Sequence, residues 1–123
     1  KKEDTDRSFN QAIDICLEHL DRLEVCAATH NEESITYLTR RIQEDPIEDH
    51  LQRIHFSQLY GMSDNLTYNL ADAGYNVSKY LPYGEVATAI PYLIRRAEEN
   101  TSIGGQMSRE LALLEQEMQR RNL

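Results

Sequence analysis

The sequence lacks any apolar stretch of about 18 residues, which is the length that a transmembrane helix requires. It is also poor in basic residues, because 13 lysines and arginines stand against 21 aspartates and glutamates, for a formal net charge of -8. Phosphate backbones and anionic lipids attract basic surfaces. The charge balance therefore argues against a nucleic acid partner and gives no reason to expect attraction to a lipid surface.

Cysteine and glycine are scarce, and their positions argue against two common kinds of site. Cys16 and Cys26 do not have the spacing of a metal site, so we interpret them as a reduced, intracellular pair. No glycine-rich loop of the dinucleotide-binding kind is present. With 40% hydrophobic and 28% charged residues, the 123 residues have the composition of one small globular domain.

Apolar spacing predicts alternating helices and strands. The first helix carries an apolar stripe with spacings of four and three residues: Phe9, Ile13, Cys16, Leu20 and Leu23. Short runs of strand-forming residues predict strands at residues 24–29, 53–60 and 75–81. Further helices are predicted before Asp45–Pro46 and at about residues 63–73, 86–100 and 106–121, the last after a hinge at Gly104–Gly105.

The alternation of strands and helices indicates βαβ units and hence an α/β fold with a parallel sheet. An open parallel sheet of three strands would have two unpaired edges, which suggests that strands are missing. Two interpretations remain for the start of the second helix. Thr29 and Glu32 can form a capping box, or Asn31 can cap the helix alone.

The helix predicted after Gly84 has two stripes on nearly opposite faces. The apolar stripe reads as core and consists of Ile90, Leu93, Ile94 and Ala97. The polar stripe consists of Tyr92, Arg95, Arg96 and Glu99. It can be a solvated face with an Arg95–Glu99 pair worth a few tenths of a kcal/mol. Alternatively, the two adjacent arginines can hold a small carboxylate through paired hydrogen bonds.

Four runs of sequence resemble proline dehydrogenases: ATHN at 28–31, FSQLYGM at 56–62, AGYNVSKYLPYG at 73–84 and PYLIRRAEEN at 91–100. Each run alone is a weak signal, but their order and spacing together are highly specific across about residues 21–101. The resemblance implies a distorted (βα)8 barrel of the TIM type. Residues 1–123 would then be a single partial domain, the C-terminal portion of that barrel with about strands 6 to 8 and a C-terminal helix.

The resemblance implies roles for five substrate-binding residues. Arg95 and Arg96 match a pair that binds the proline carboxylate. Tyr80 and Leu59 match side chains that contact the pyrrolidine ring, and Tyr92 matches a further side chain near it. Relatives that prefer hydroxyproline carry a small residue in place of Tyr80. Alternatively, Tyr80 and Tyr92 are ordinary half-buried aromatic residues and Leu59 is a core residue.

For the cofactor, the resemblance implies non-covalent FAD, to be contacted by Thr29 and His30, with Glu99 near the flavin. The alternative for His30 is an ordinary polar loop residue. The matched family positions include no catalytic residue and no metal ligand. The FAD-binding residues of earlier strands are absent from this chain, so we expect the isolated chain to be without the cofactor.

The implied reaction is oxidation of L-proline to pyrroline-5-carboxylate, with hydride transfer to FAD and electrons passed to a quinone, as part of proline catabolism. The intact enzyme would be cytoplasmic and peripheral to the inner membrane in a bacterium, or mitochondrial in a eukaryote. The second hypothesis is a non-catalytic binding or assembly module. We expect the isolated chain to form a homo-oligomer in which helices or strands of one copy cover the open core of another. The available apolar faces are the first helix and the stripe of the last helix: Met107, Leu111, Leu114 and Met118.

Overall fold

The computed structural model describes residues 1–45, 47–102 and 106–121, which form two compact units, Lys1–Tyr80 and Leu81–Leu123. The first unit holds a three-stranded sheet made of β1 (Val25–Ala28), β2 (Ile54–Leu59) and β3 (Asn76–Tyr80). The strands lie in chain order and both pairs are parallel. The predicted α/β class and parallel sheet are therefore confirmed.

Three helices and a 3-10 helix complete the first unit: α1 (Lys2–Leu17), α2 (Glu32–Glu44), the 3-10 helix Glu48–Arg53 and α3 (Asp64–Asp72). The first helix ends earlier than its apolar stripe predicts. Leu20, a member of the stripe, lies in the turn that follows α1 and is nevertheless buried. Apolar spacing reports contact with the core, which continues into that turn.

The start of α2 resolves the two interpretations of its cap. The Asn31 side chain accepts a hydrogen bond from the Glu33 backbone N–H at 3.1 Å. The Thr29 hydroxyl oxygen accepts instead from the Asn31 backbone N–H, at 3.0 Å. Asn31 is thus the N-cap of α2, in the geometry that satisfies one of the unpaired amides of a first helical turn.

The three α-helices of the first unit pack on one face of the sheet. Alternate strand residues on that face, among them Val25, Ile54 and Phe56, join the same buried cluster as apolar residues of all three helices. α2 and α3 each connect two neighbouring parallel strands, and consecutive right-handed crossovers place such helices on the same side. α1 precedes β1 and joins the same cluster through its apolar stripe. Ile13 of α1 is in the cluster, so the expectation that the first helix offers a surface for self-association is wrong.

On the opposite face, here called the open face, no helix from the described part of the first unit is packed. Its residues are exposed or half-buried and are mostly small or polar: Cys26, Ala28, His55, Ser57, Leu59, Asn76, Ser78 and Tyr80. Parallel sheets are normally covered on both faces. In the first unit the described helices cover one face of the sheet only.

A polar cluster joins α1 to α2. Arg41 forms ion pairs with Asp14 and, at 2.8 Å, with Asp45. The Tyr37 hydroxyl donates to the Asp14 carboxylate at 2.7 Å. Hydrogen bonds to Tyr37 and Asp45 raise the pKa of Arg41 above its ordinary value, so the cluster keeps its positive centre throughout the accessible pH range.

Replacing Asp14 by alanine should lower the free energy of unfolding by about 1 kcal/mol, because Asp14 carries the hydrogen bonds that link the two helices. Chemical denaturation followed by circular dichroism measures this change. Asp21→Ala is the matched control, since Asp21 forms an ion pair with Arg22 in which both side chains are exposed. Equal losses in the two variants would show that the cluster adds nothing specific.

The second unit contains α4 (Val86–Ser102) and α5 (Gln106–Arg121). The apolar stripe of α4 was expected to be core, and this expectation is wrong for this chain. Ile90, Leu93 and Ile94 are 45–53% exposed, and a helix stripe is buried only where a partner covers it. The hinge predicted at Gly104–Gly105 lies outside the described residues. In the described ranges, no helix is long and apolar enough to cross a membrane.

Candidate substrate and cofactor site

The carboxyl ends of the three strands lie along one edge of the sheet, because all three strands are parallel. Leu59 and Tyr80 are the last residues of their strands and are register partners. The backbone N–H of Tyr60 donates to the Tyr80 carbonyl at 3.0 Å and extends this pairing by one residue. The first unit therefore brings together two of the residues predicted to contact the substrate ring.

His30 lies just after β1, at the same edge of the sheet. Its Nδ1 is 2.8 Å from the Ser63 hydroxyl oxygen, and its Nε2 is 3.4 Å from the Leu59 backbone nitrogen. Of the residues predicted from the sequence, His30 and Leu59 are thus in direct contact. Both ring nitrogens of His30 are within hydrogen-bonding distance of groups of its own chain.

Thr29 stands beside His30 and is half-buried. Its hydroxyl oxygen accepts from the Asn31 backbone N–H, while within the described part of the chain no acceptor is recorded for the hydroxyl proton. Thr29 is therefore able to donate one hydrogen bond at the carboxyl edge of the sheet.

Two residues that sequence reasoning missed support the turn between β2 and α3. Lys79 donates to the Met62 carbonyl at 2.6 Å and pairs with Asp64 at 2.7 Å. Gln58 is 1% exposed, and its side-chain oxygen accepts from the Thr67 hydroxyl of α3 at 3.0 Å. Along each strand, residues that face the helices alternate with residues on the open face. A polar residue at a helix-facing position near the end of a strand is therefore the signal that could have revealed Gln58 and Lys79.

The remaining predicted residues lie on α4 in the second unit. The Arg96 guanidinium lies over the Tyr92 ring at 5.2 Å from its centroid, the distance of a cation–π contact. Arg95 is exposed and Arg96 half-buried. Adjacent residues on a helix are separated by about 100° of rotation, so the two guanidiniums start from neighbouring directions. The side chain of Glu99 lies outside the described residues.

In the described ranges, no three histidine, cysteine or acidic side chains form a group that could hold a metal ion. What the chain offers instead is two cationic side chains with an adjacent aromatic ring on α4. On the first unit it offers a strand edge with an apolar and an aromatic side chain. The first set suits a small carboxylate, and the second suits an apolar ring.

Comparison with known proteins identifies the family that the chain resembles. A family model described as proline dehydrogenase matches residues 1–109. The carbapenem antibiotics biosynthesis protein CarD of Pectobacterium carotovorum is 41% identical over 98% of this chain, and the mitochondrial proline dehydrogenase 1 of Arabidopsis thaliana is 40% identical over 97%. The hydroxyproline dehydrogenase of Rattus norvegicus is 43% identical over 98%. No solved structure matches the chain significantly.

The chain spans only part of these relatives, namely 31% of the first, 24% of the second and 27% of the third. The family match nevertheless covers all four runs of sequence that carry the resemblance, as well as α1 and the sheet. Since the family model covers residues 1–109 of the 123, the chain belongs to the proline dehydrogenase family.

Proposed function

We propose that this chain is the C-terminal part of an FAD-dependent proline dehydrogenase and supplies its carboxylate clamp, defined as Arg95 and Arg96. The observation that carries the proposal is the adjacent arginine pair on α4, within the segment that the family model matches. The intact enzyme would oxidise L-proline to pyrroline-5-carboxylate and pass electrons to a quinone. It would be cytoplasmic and peripheral to the inner membrane in a bacterium, or mitochondrial in a eukaryote, since several relatives are named as mitochondrial proline dehydrogenases.

The one-sided sheet supports a place in a (βα)8 barrel. Helices cover one face of β1, β2 and β3, while the open face carries short side chains such as Ala28, Ser57 and Ser78. In a TIM-type barrel the helices form the outer ring, and functional residues gather at the carboxyl ends of the strands. Thr29, Leu59 and Tyr80 lie at or just beyond such ends.

The residues present fit a flavin at this edge to a limited extent. Thr29 retains a hydroxyl proton for an acceptor atom, and small open-face residues near the strand ends leave room for a planar ring. When bound, the flavin supplies the hydride acceptor. The chain's proposed contribution is to bind the substrate: the clamp of the second unit is assigned to its carboxylate, and Leu59 and Tyr80 of the first unit are assigned to its ring.

A chimera tests this proposal, in which the chain replaces the matched segment of Arabidopsis thaliana proline dehydrogenase 1. That segment is 40% identical to this chain and amounts to 24% of the relative. The expected result is a flavin-containing protein that oxidises proline with a dye acceptor. A folded chimera that binds flavin but does not turn over proline, beside an active parent enzyme, would reject the proposal.

The chimera should prefer proline to 4-hydroxyproline, and Tyr80→Ser should reduce that preference by about tenfold, because removing the ring makes room for a hydroxyl group. Overall identity does not decide the substrate, since relatives named for proline and for hydroxyproline match this chain about equally. The measurement is the ratio of kcat/KM for the two substrates. Tyr68→Ser is the control because Tyr68 is 71% exposed on α3. An unchanged ratio in Tyr80→Ser would contradict the assigned role.

A second candidate, a non-catalytic assembly module, is favoured by one observation. Three apolar residues of α5 are 51–62% exposed: Leu111, Leu114 and Met118. Exposed apolar stripes and unpaired strand edges of this kind favour association. Met107, the fourth member of the predicted stripe, has a side chain outside the described residues.

The isolated chain should therefore be a homodimer or a larger oligomer, and Leu114→Glu should shift it towards monomer by placing a charge in the apolar stripe. Sedimentation velocity at tens of micromolar measures the shift. The control is Glu115→Gln, a change one residue away that leaves the stripe intact. A monomeric wild-type chain at that concentration would rule out the assembly module.

A further inference from the structure

His30 connects two loops of the first unit through both of its ring nitrogens. The Leu59 backbone N–H donates to Nε2, and a ring nitrogen that accepts a hydrogen bond carries no proton. A neutral imidazole must then carry its proton on Nδ1, which lies 2.8 Å from the Ser63 hydroxyl oxygen. The geometry therefore fixes one tautomer, in which His30 accepts from Leu59 and donates to Ser63.

The hydrogen bond from the Leu59 N–H to His30 takes the place of a backbone hydrogen bond between β1 and β2. The β1–β2 ladder ends where Ala28 pairs with Ser57, so Leu59 lies beyond the last paired residue of β1. In a parallel sheet each strand needs acceptors from its neighbour at regular intervals. Nε2 of His30 supplies the acceptor that β1 no longer provides. On the other side, Leu59 pairs with Tyr80, so it is held from both neighbouring strands.

Ser63 has an unusual backbone that serves the same connection. Its φ of 52° and ψ of 43° make it the one non-glycine residue in the described ranges with a positive φ. Although it is the N-cap of α3, its side chain makes no capping hydrogen bond, and the residue is 3% exposed. Both features oppose stability locally. The left-handed conformation places the hydroxyl against His30 instead of the α3 amides.

We propose that His30 is a positioning residue, a neutral imidazole protonated on Nδ1 that fixes the position of Leu59 through its backbone. This goes beyond a cofactor contact and assigns His30 to the substrate side of the site. It rests on the proposed function only for its consequence in catalysis. The connection itself, Ser63–His30–Leu59, is a property of this chain and is testable without any cofactor.

The first test reads the tautomer in the 123-residue chain by ¹⁵N NMR of the histidine rings at pH 8. The expected result is a neutral His30 ring with its proton on Nδ1, seen as a large shift difference between the two ring nitrogens. A ring protonated on Nε2, or rapid averaging of both tautomers, would overturn the inference. This measurement needs no variant, so it stands even if a substitution prevents folding.

The second test is hydrogen exchange of the Leu59 amide. His30→Ala should accelerate it by about two- to tenfold, the range that corresponds to the loss of one hydrogen bond. His30→Gln keeps an acceptor at a similar reach and should restore most of the protection. His55→Ala is the matched control, a half-buried histidine of β2 on the open face. Equal acceleration in His30→Ala and His30→Gln would refute a specific acceptor role.

The third test uses the chimera. His30→Ala should raise KM for proline by about two- to tenfold with a smaller change in kcat, and His30→Gln should recover most of it. An unchanged KM in His30→Ala would overturn the role in the site. An inactive wild-type chimera would reject the proposed function instead, while the tautomer and the amide exchange would still decide the connection between His30 and Leu59.

Discussion

Replacing Arg95 or Arg96 by methionine in the chimera should lower kcat/KM for proline by about tenfold to a hundredfold. Each substitution removes a charge-assisted hydrogen bond to the carboxylate, worth about 1.5–3 kcal/mol, and about 1.4 kcal/mol corresponds to a factor of ten. The carboxylate is present in both the substrate and the transition state. Most of the loss should therefore appear as a higher KM.

The two methionine variants should differ in how much kcat/KM they lose. Arg96 already lies over the Tyr92 ring, which restricts where its guanidinium can point, whereas Arg95 is exposed on α4. Side chains held in place lose less entropy on binding. We therefore expect the larger loss for Arg96→Met. Tyr92→Leu should produce part of the same effect by removing the aromatic support.

Arg40→Met is the control for the clamp variants, because Arg40 is an exposed arginine of α2 whose ion pair with Glu44 spans 3.8 Å. It should leave kcat/KM unchanged. Steady-state kinetics with proline gives all the values. If Arg95→Met and Arg96→Met both behaved like Arg40→Met, the clamp assignment would be wrong, and the solvated-face interpretation of the polar stripe would stand.

The features that sequence reasoning predicted are those with a periodic or local cause. Strand and helix alternation follows from residue type and spacing, and each predicted strand extends one residue beyond the observed strand at both ends. The end of α2 before Pro46 follows from local sterics. Asn31 as the cap of α2 was one of two interpretations. The capping box of Thr29 and Glu32 was the other, and residues within one turn can satisfy either pattern.

Other features were beyond sequence reasoning because they arise from tertiary contacts. The left-handed Ser63 contacts a distant residue, since its hydroxyl oxygen lies 2.8 Å from Nδ1 of His30, 33 positions earlier in the chain. Lys79 reads as a polar strand residue until α3 brings Asp64 within 2.7 Å. The prediction that the apolar stripe of α4 is core was wrong for the converse reason. Spacing shows which face of a helix is apolar, and it does not show whether another element covers that face.

The candidate site is accordingly divided by the kind of information that defines it. The arginine pair of α4 is a local motif, and its chemistry follows from two adjacent residues and the family resemblance. The strand edge with His30, Leu59 and Tyr80 depends on parallel register, which only the structure provides. In the proposed function, the first part is assigned to the substrate carboxylate and the second to the substrate ring.

The isolated 123-residue chain should show no oxidation of proline, even with added FAD and a dye acceptor. It spans 20–31% of the curated proline dehydrogenases and CarD that it resembles, and its sheet is covered on one face only. A hydride transfer site must hold the flavin and the substrate in fixed contact and away from water. An open sheet face and an exposed strand edge do not enclose such a site.

Dye reduction at saturating proline measures this, with the chimera as the active control and its Arg96→Met variant as the weakened one. Flavin retention on gel filtration gives an independent result, because a chain without the enclosing strands should elute colourless. Turnover by the isolated chain above the rate of the Arg96→Met chimera would mean that three parallel strands and their helices are enough to build the site. The barrel would then be a scaffold for this chemistry rather than a requirement of it.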